Sequence, residues 1–138
     1  MRVDTTIEVG WRSVLGRLMR SFVDRGLFVH PGFDLQRARR DEDEGVGVLC
    51  PHHGTRDCRC QYVILQVSGR DEGPSAVIVH GGETATRIAL RTRAGARGRL
   101  LAVAAICETV GHFRSAARAV HIEASYSSAL PLKQLSQA

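Results

Sequence analysis

The chain has few aromatic residues and no long hydrophobic run. Only 5% of its 138 residues are Phe, Trp or Tyr, which argues against a nucleic-acid surface built on base stacking. No stretch approaches the roughly 20 consecutive apolar residues that a membrane-spanning helix needs. The first ten residues, MRVDTTIEVG, contain neither an apolar core nor a small-residue cleavage site. We therefore expect no signal peptide, no membrane partner and a cytoplasmic location.

Sequence motifs of several common enzyme classes are also missing. There is no G-x-x-x-x-G-K-[ST] phosphate-binding loop, no G-x-G-x-x-G dinucleotide fingerprint and no G-x-S-x-G nucleophile elbow. The zinc-deaminase signature, H-x-E followed by P-C-x-x-C, is absent as well. None of these reaction classes is therefore indicated by the sequence.

Lysine is nearly absent, and arginine supplies almost all of the positive charge. The formal net charge is +5, and all but one of the 19 basic residues are arginine. Between Glu83 and Glu108 no acidic residue occurs, and this window contains five arginines: Arg87, Arg91, Arg93, Arg97 and Arg99. They can bind an anionic ligand or a nucleic acid. The interpretation that we favour is a solvated surface followed by the turn before a helix.

The overall composition is that of an ordinary globular domain. Hydrophobic residues make up 43% of the chain and charged residues 24%. A domain of this length buries about two thirds of the surface that its unfolded chain exposes. That is enough for a hydrophobic core that needs no disulfide or metal ion to hold it together. We predict one domain over residues 1–126 and a loosely ordered tail over 127–138.

Hydrophobic periodicity predicts five extended segments and two helices. The extended segments carry β-branched or alternating apolar residues and lie at 3–9, 27–36, 61–68, 75–80 and 85–92. Helical spacing predicts helices at 11–25 and 97–111, the first of them ended by Gly26. Residues 112–126 fit either an extension of the second helix or a last strand, and the pattern leaves both open. The charged run 37–45 is expected to be a solvated connection, with room for a short helical turn.

This order of elements favours an α+β fold. We predict a two-layer sandwich, with a mostly antiparallel sheet and two helices on one face. The other face of such a sheet stays open, and pairing of two copies through it predicts a homodimer.

The segment CPHHGTRDCRC, residues 50–60, carries the strongest chemical signal. Cys50 and His53 stand three residues apart, the spacing at which two side chains of a tight turn can point at one ion. Pro51 presets that turn, and Gly54 supplies a residue that tolerates positive φ. The segment therefore predicts a metal-binding turn.

Three thiols and two imidazoles in this segment are donors that zinc prefers, with iron as the alternative metal. A four-ligand site needs only one of the two histidines, and the spacing leaves open whether His52 or His53 is bound. A carboxylate between the cysteine pairs, Asp57, is a candidate to orient a bound imidazole. The predicted metal ligands are Cys50, His52, His53, Cys58 and Cys60.

Other uses of the same residues stay open. Without a metal, the thiols beside Arg56 and Arg59 can form a redox-sensing centre or a disulfide, although a reducing compartment disfavours the disulfide. With only three protein ligands, the metal can activate water, but the segment offers no general base other than Asp57. A non-enzymatic binding protein is therefore favoured over an enzyme.

Two further residues that can bind a metal, His80 and Cys107, lie outside the segment. His80 ends a predicted strand and reaches the cysteines if that strand lies beside 61–68, although a half-exposed histidine without such a role is the commoner case. Cys107 lies among apolar residues of the second helix and is expected to be a small core residue.

The sequence around the segment resembles two groups of proteins. C-P-H-H-G is similar to the C-P-x-C-G knuckle of rubredoxins and zinc ribbons, with His53 in place of the second cysteine. The C-x-C pair at Cys58 and Cys60 departs from the ribbon pattern, in which a distant C-x-x-C completes the site. The longer stretch from Cys50 through the following strand resembles small bacterial α+β proteins with a C-P-x-H-G-T-x-x-C-x-C segment. That resemblance implies no activity.

Overall fold

Alternating apolar residues build a five-stranded sheet in the computed structural model. The strands are β1 (Val3–Ile7), β2 (Phe28–Asp34), β3 (Gln61–Ser68), β4 (Ser75–Gly81) and β5 (Thr86–Thr92). Their order across the sheet is β1-β5-β4-β3-β2, and every neighbouring pair is antiparallel. The structure describes residues 3–41, 49–51, 53–55, 58–70, 73–92 and 96–129.

Three helices accompany the sheet: α1 (Trp11–Asp24), α2 (Leu35–Asp41) and α3 (Ala96–Ala129). Helix α1 ends at Asp24, one residue before the predicted end, and Gly26 follows it with a φ of +73° and donates its N–H to the Val23 carbonyl at 2.9 Å. Helix α2 supplies the helical turn expected in the charged run, and residues 42–48 of that run lie outside the described part. Helix α3 answers the open question over 112–126, because the backbone there is helical.

The core lies between one face of the sheet and helices α1 and α3. Every second residue of β3 and β4 is buried, so each of these strands turns one side chain inward and the next outward. Helix α1 contributes apolar residues spaced four apart, and helix α3 adds a stripe of small and branched ones. The core residues include Val14, Leu18, Phe22, Val63, Leu65, Val77, Val79, Ala105 and Ile106. The predicted α+β architecture is therefore confirmed.

The outward face of the sheet, opposite the core, carries both half-buried and exposed side chains, and the candidate site lies at this face. Tyr62, Ile78 and His80 are half-buried on this face, whereas Arg87 and Arg91 are exposed. Helix α2 is joined to the start of β3, since the Gln36 side chain donates to the Cys60 carbonyl at 3.1 Å. The loop that precedes β3 is thus held against both α2 and the outward face.

The structure tests only part of the predictions on domain boundary, oligomeric state and membrane spans. Helix α3 continues to Ala129, past the boundary that we drew at 126, and residues 130–138 lie outside the described part. The division into a domain and a tail therefore stays a prediction, as does the homodimer. Among the described residues, no helix has the length and apolar character needed to cross a membrane.

Candidate metal centre

A tight turn brings the first two donors together. The Gly54 N–H donates to the Cys50 carbonyl at 2.7 Å, and the Cys50 N–H donates to the Thr55 carbonyl at 3.0 Å. Gly54 has a φ of +64°, the left-handed conformation that the knuckle interpretation assigned to it. As a result, Cys50 Sγ and His53 Nδ1 lie 3.6 Å apart.

Cys60 enters the same group from the end of the loop. It directly precedes β3, and its Sγ lies 3.3 Å from His53 Nδ1. Because its carbonyl accepts the hydrogen bond from Gln36, the backbone at Cys60 is fixed by α2. His53 therefore stands between two thiols that approach it from opposite ends of the loop.

His80 supplies the fourth donor from a neighbouring strand. Strand β4 pairs with β3 so that His80 lies opposite Tyr62, two residues after Cys60. Its Nε2 lies 4.0 Å from Cys50 Sγ, and its ring contacts the rings of His53 and Tyr62, both with centroids 5.6 Å away. We predicted that His80 reaches the cysteines if its strand lies beside residues 61–68, and β4 does pair with β3.

These four residues, which we call the donor cluster, have the dimensions of a metal site. Their ligand atoms all lie within 4.8 Å of one another. In a tetrahedral zinc site with ordinary bond lengths, a sulfur and a nitrogen ligand stand about 3.6 Å apart. The sulfur–nitrogen distances of 3.3, 3.6 and 4.0 Å bracket that value. The donor cluster, close enough together to bind one metal ion, is Cys50, His53, Cys60 and His80.

Burial is uneven across the donor cluster. Cys50 is completely buried, Cys60 and His80 are half-buried, and His53 is exposed. The cluster therefore sits at the protein surface with one edge open to solvent, so that a metal can enter without unfolding of the core.

Cys58 borders the donor cluster without belonging to it. Its Sγ receives a hydrogen bond from Arg39 at 3.5 Å. Burial acts to raise the pKa of this thiol, but the hydrogen bond from Arg39, with further ones from the Cys60 backbone and two side chains, lowers the pKa to about 6. Those two side chains are His53 and Cys50, so Cys58 reaches the edge of the cluster.

Cys60 shows the opposite shift. Burial, followed by hydrogen-bonding and charge interactions with Cys58 and Cys50, raises the pKa of Cys60 to about 11. Cys58 loses its proton more easily than Cys60, because Arg39 donates a hydrogen bond to the Cys58 sulfur. Between Cys58 and Cys60, the thiolate of the metal-free protein therefore forms first on Cys58.

Arg39 is the residue at this site that sequence reasoning missed. It was part of the run RARRDEDEG, interpreted as a solvated connection. In the structure it lies on α2 and donates to the carbonyls of Cys58 at 2.8 Å and Thr55 at 3.1 Å. Arg39 is separated in sequence from Cys58 and Thr55, and no local pattern indicates that such a charged residue will bind the backbone of the loop.

The remaining predicted residues fall into three groups. His52, Arg56 and Asp57 lie outside the described part of the chain, so the choice between the two histidines has support only for His53. Cys58 as a ligand stays a prediction. Cys107 is exposed on α3, so its assignment to the core was wrong: the buried positions beside it are Ile106 and Thr109.

The five arginines proposed to bind an anion do not form one described group. Arg87 pairs with Asp4, whose Oδ1 lies 2.7 Å from Arg87 Nε, and this pairing raises the pKa of Arg87 further. Arg91 stands on the same exposed face of β5, and Arg99 is half-buried near the start of α3. Arg93 and the Arg97 side chain lie outside the described part.

Comparison with known proteins identifies no similar protein. No protein-family model matches the chain, and neither the curated proteins nor the solved structures give a significant match. The function is therefore argued from the site alone.

Proposed function

We propose that the chain is a zinc-binding protein in which the donor cluster holds a single Zn²⁺. The observation that carries the proposal is the convergence of two sulfur and two nitrogen atoms within 4.8 Å of one another. They come from three separate places in the chain: a turn, the start of β3 and the end of β4. Chance proximity in a polar loop does not account for such a convergence.

The chemistry of the donors favours zinc. Two thiolates and two neutral imidazoles give a neutral site around a divalent cation, and tetrahedral Cys₂His₂ coordination is an established zinc arrangement. Magnesium and calcium prefer oxygen ligands, of which the donor cluster has none. Iron accepts the same donors and is the alternative metal.

The ion acts as a structural cross-link in this proposal. It joins the loop before β3 to the outward face of β4 through His80. Because all four positions are filled by protein, no position is left for water or substrate, and the site is not catalytic. Structural zinc in small domains contributes roughly 10–16 kcal/mol of binding free energy that is coupled to folding.

A second candidate function, thiol chemistry at Cys58, is favoured by the contact with Arg39. In the metal-free protein the Cys58 thiolate attacks one oxygen of hydrogen peroxide, the O–O bond breaks and hydroxide leaves, giving a sulfenic acid. A neighbouring thiol then attacks that sulfur, forming a disulfide and releasing water. Free thiols counted before and after mild peroxide test this function. A fall from four to two supports it, and an unchanged count excludes it.

Elemental analysis of protein purified without a histidine tag tests the zinc proposal. We expect about one zinc per chain in the wild type and its loss in Cys50→Ser and His80→Ala. Cys107→Ser is the matched control, because this exposed thiol lies on α3 away from the loop. Zinc-free wild-type protein, or equal zinc in His80→Ala and the control, would contradict the proposal.

The Cys58→Ser variant separates the two possible ligand sets. If His80 is the fourth ligand, Cys58→Ser keeps its zinc. If instead Cys58 completes a Cys₃His set, Cys58→Ser loses zinc and His80→Ala retains it. The two variants measured together therefore identify the fourth ligand.

A further inference from the structure

A cavity of about 400 Å³ lies beside the loop that carries the donor cluster. Its walls come from the start of α1, from α2 and from residues 58 and 59 of the loop. Among the described residues, four guanidinium groups and one carboxylate line it, those of Arg12, Arg39, Arg40, Arg59 and Glu83. This concentration of positive charge is distinct from the arginines of β5 and α3 that the sequence had suggested.

Two of the four arginines are held in place. Arg39 is fixed by its hydrogen bonds to the loop carbonyls of Cys58 and Thr55. The Arg12 guanidinium stacks over the Trp11 ring, 4.6 Å from the ring centroid. Stacking occupies the flat face of the guanidinium and leaves the N–H groups at its edge available. Both groups are therefore ordered before a ligand arrives.

The other two arginines are available for a ligand. Arg40 and Arg59 are exposed, and within the described residues neither forms an ion pair with a carboxylate. By contrast, Arg17, Arg25, Arg37 and Arg87 each pair with an acidic residue. Within the described part of the chain, Arg40 and Arg59 thus bring positive charge to the cavity without a carboxylate partner.

We propose that this cavity binds a small phosphate-bearing molecule. Guanidinium groups match the oxygen geometry of phosphate and bind it through paired N–H groups. The two negative charges of a phosphate dianion attract several guanidinium groups at once. The volume falls within the range of small-molecule sites and exceeds what a phosphate group alone fills. The Glu83 carboxylate is suited to accept a hydrogen bond from a hydroxyl of the organic part.

The cavity does not depend on the metal for most of its walls. Trp11, Arg12, Arg39 and Arg40 belong to helices, and Cys58 and Arg59 are the described lining residues that come from the loop. Either proposal can therefore fail while the other stands, although the shared loop should couple the two binding affinities.

Isothermal titration calorimetry with inorganic phosphate and with ribose 5-phosphate, at low ionic strength, tests the proposal on the full chain. We expect saturable binding, tighter for ribose 5-phosphate. Arg40→Ala and Arg12→Ala should each weaken it by about fivefold or more, as loss of a charge-assisted hydrogen bond does. Arg20→Ala is the matched control, since Arg20 is an exposed arginine of α1 outside the cavity.

Three results would overturn the proposal: no saturable binding to the wild type, equal weakening in Arg20→Ala, or binding of acetate as tight as that of phosphate. Zinc content measured on the same samples keeps the two proposals apart. A wild-type protein that is purified without zinc and still binds phosphate would contradict the zinc proposal and leave this one standing.

Discussion

At the scale of single residues, the identity of the fourth donor depends on strand register. Cys50, His53 and Cys60 are among the five ligands predicted from the spacing within one loop, and that spacing leaves the choice between His52 and His53 open. His80 lies 30 residues beyond Cys50 and joins them only because β4 pairs with β3 in the register that sets it opposite Tyr62. No local pattern encodes that register, so His80 could be predicted only as a conditional candidate.

Gly54 is the residue on which the turn depends most directly. Its φ is +64°, and a Cβ there would meet no atom within 4 Å, so an alanine would suffer backbone strain without a clash. We expect Gly54→Ala to lower the free energy of unfolding of the zinc-loaded protein by about 1–2 kcal/mol. Gly73→Ala, equally uncrowded and without positive φ, is the control in the same denaturant titration. Equal effects of the two substitutions would show that the turn conformation is not required.

The thiols of the metal-free protein should differ sharply in reactivity. The thiolate is the reactive form, so alkylation by iodoacetamide rises as pH increases through the pKa of each thiol. Since the pKa of Cys58 is about 6 and that of Cys60 about 11, Cys58 should react at pH 7 while Cys60 does not. Peptide mass spectrometry after brief labelling measures both. Arg39→Gln should move the Cys58 midpoint to higher pH, and preferential labelling of Cys60 would contradict the assignment.

At the scale of helices and strands, periodicity was enough to place the elements but not to arrange them. The alternation in β3, β4 and β5 and the spacing of Val14, Leu18 and Phe22 are local signals, and the corresponding elements form. The pairing of β1 with β5 joins segments about 80 residues apart in sequence, such as Thr5 with Ile88, and only tertiary packing specifies it. The short helix α2 was visible only as a possible turn, because its sequence has almost no apolar stripe.

The apolar stripe of α1 provides a test of the core. Leu18 is completely buried between the sheet and α3, whereas its neighbour Met19 is 37% exposed. We expect Leu18→Ala to lower the free energy of unfolding by about 2–5 kcal/mol, because it removes buried methyl groups and leaves a cavity. Met19→Ala should cost much less, since that side chain already contacts solvent. Chemical denaturation of both variants gives the comparison, and equal losses would contradict the placement of α1.

At the scale of the whole molecule, the loop 50–60 connects the two proposed sites. Cys60 belongs to the donor cluster, whereas Cys58 and Arg59 line the arginine-rich cavity. Arg39 joins them, since it lines the cavity and donates to the loop backbone. A metal that fixes the loop should therefore also fix one wall of the cavity.

Both proposals together predict coupling between zinc and phosphate. Removal of zinc by a chelator should weaken ribose 5-phosphate binding by about fivefold or more, and saturating ribose 5-phosphate should tighten zinc by the same factor, because binding free energies are reciprocal. Calorimetry on zinc-loaded and zinc-free protein, beside competition with a zinc-binding dye, measures both directions. Equal phosphate affinity in the two forms would show that the sites act independently.

The coordination shell of the bound ion tests the central claim most directly. X-ray absorption at the zinc edge, on protein purified with its native metal, reports the number and type of ligand atoms. We predict two sulfur ligands at about 2.3 Å and two imidazole nitrogens at about 2.0–2.1 Å in the wild type, whereas His80→Ala loses the zinc signal itself. A shell of three sulfurs and one nitrogen, unchanged in His80→Ala, would contradict the proposed site.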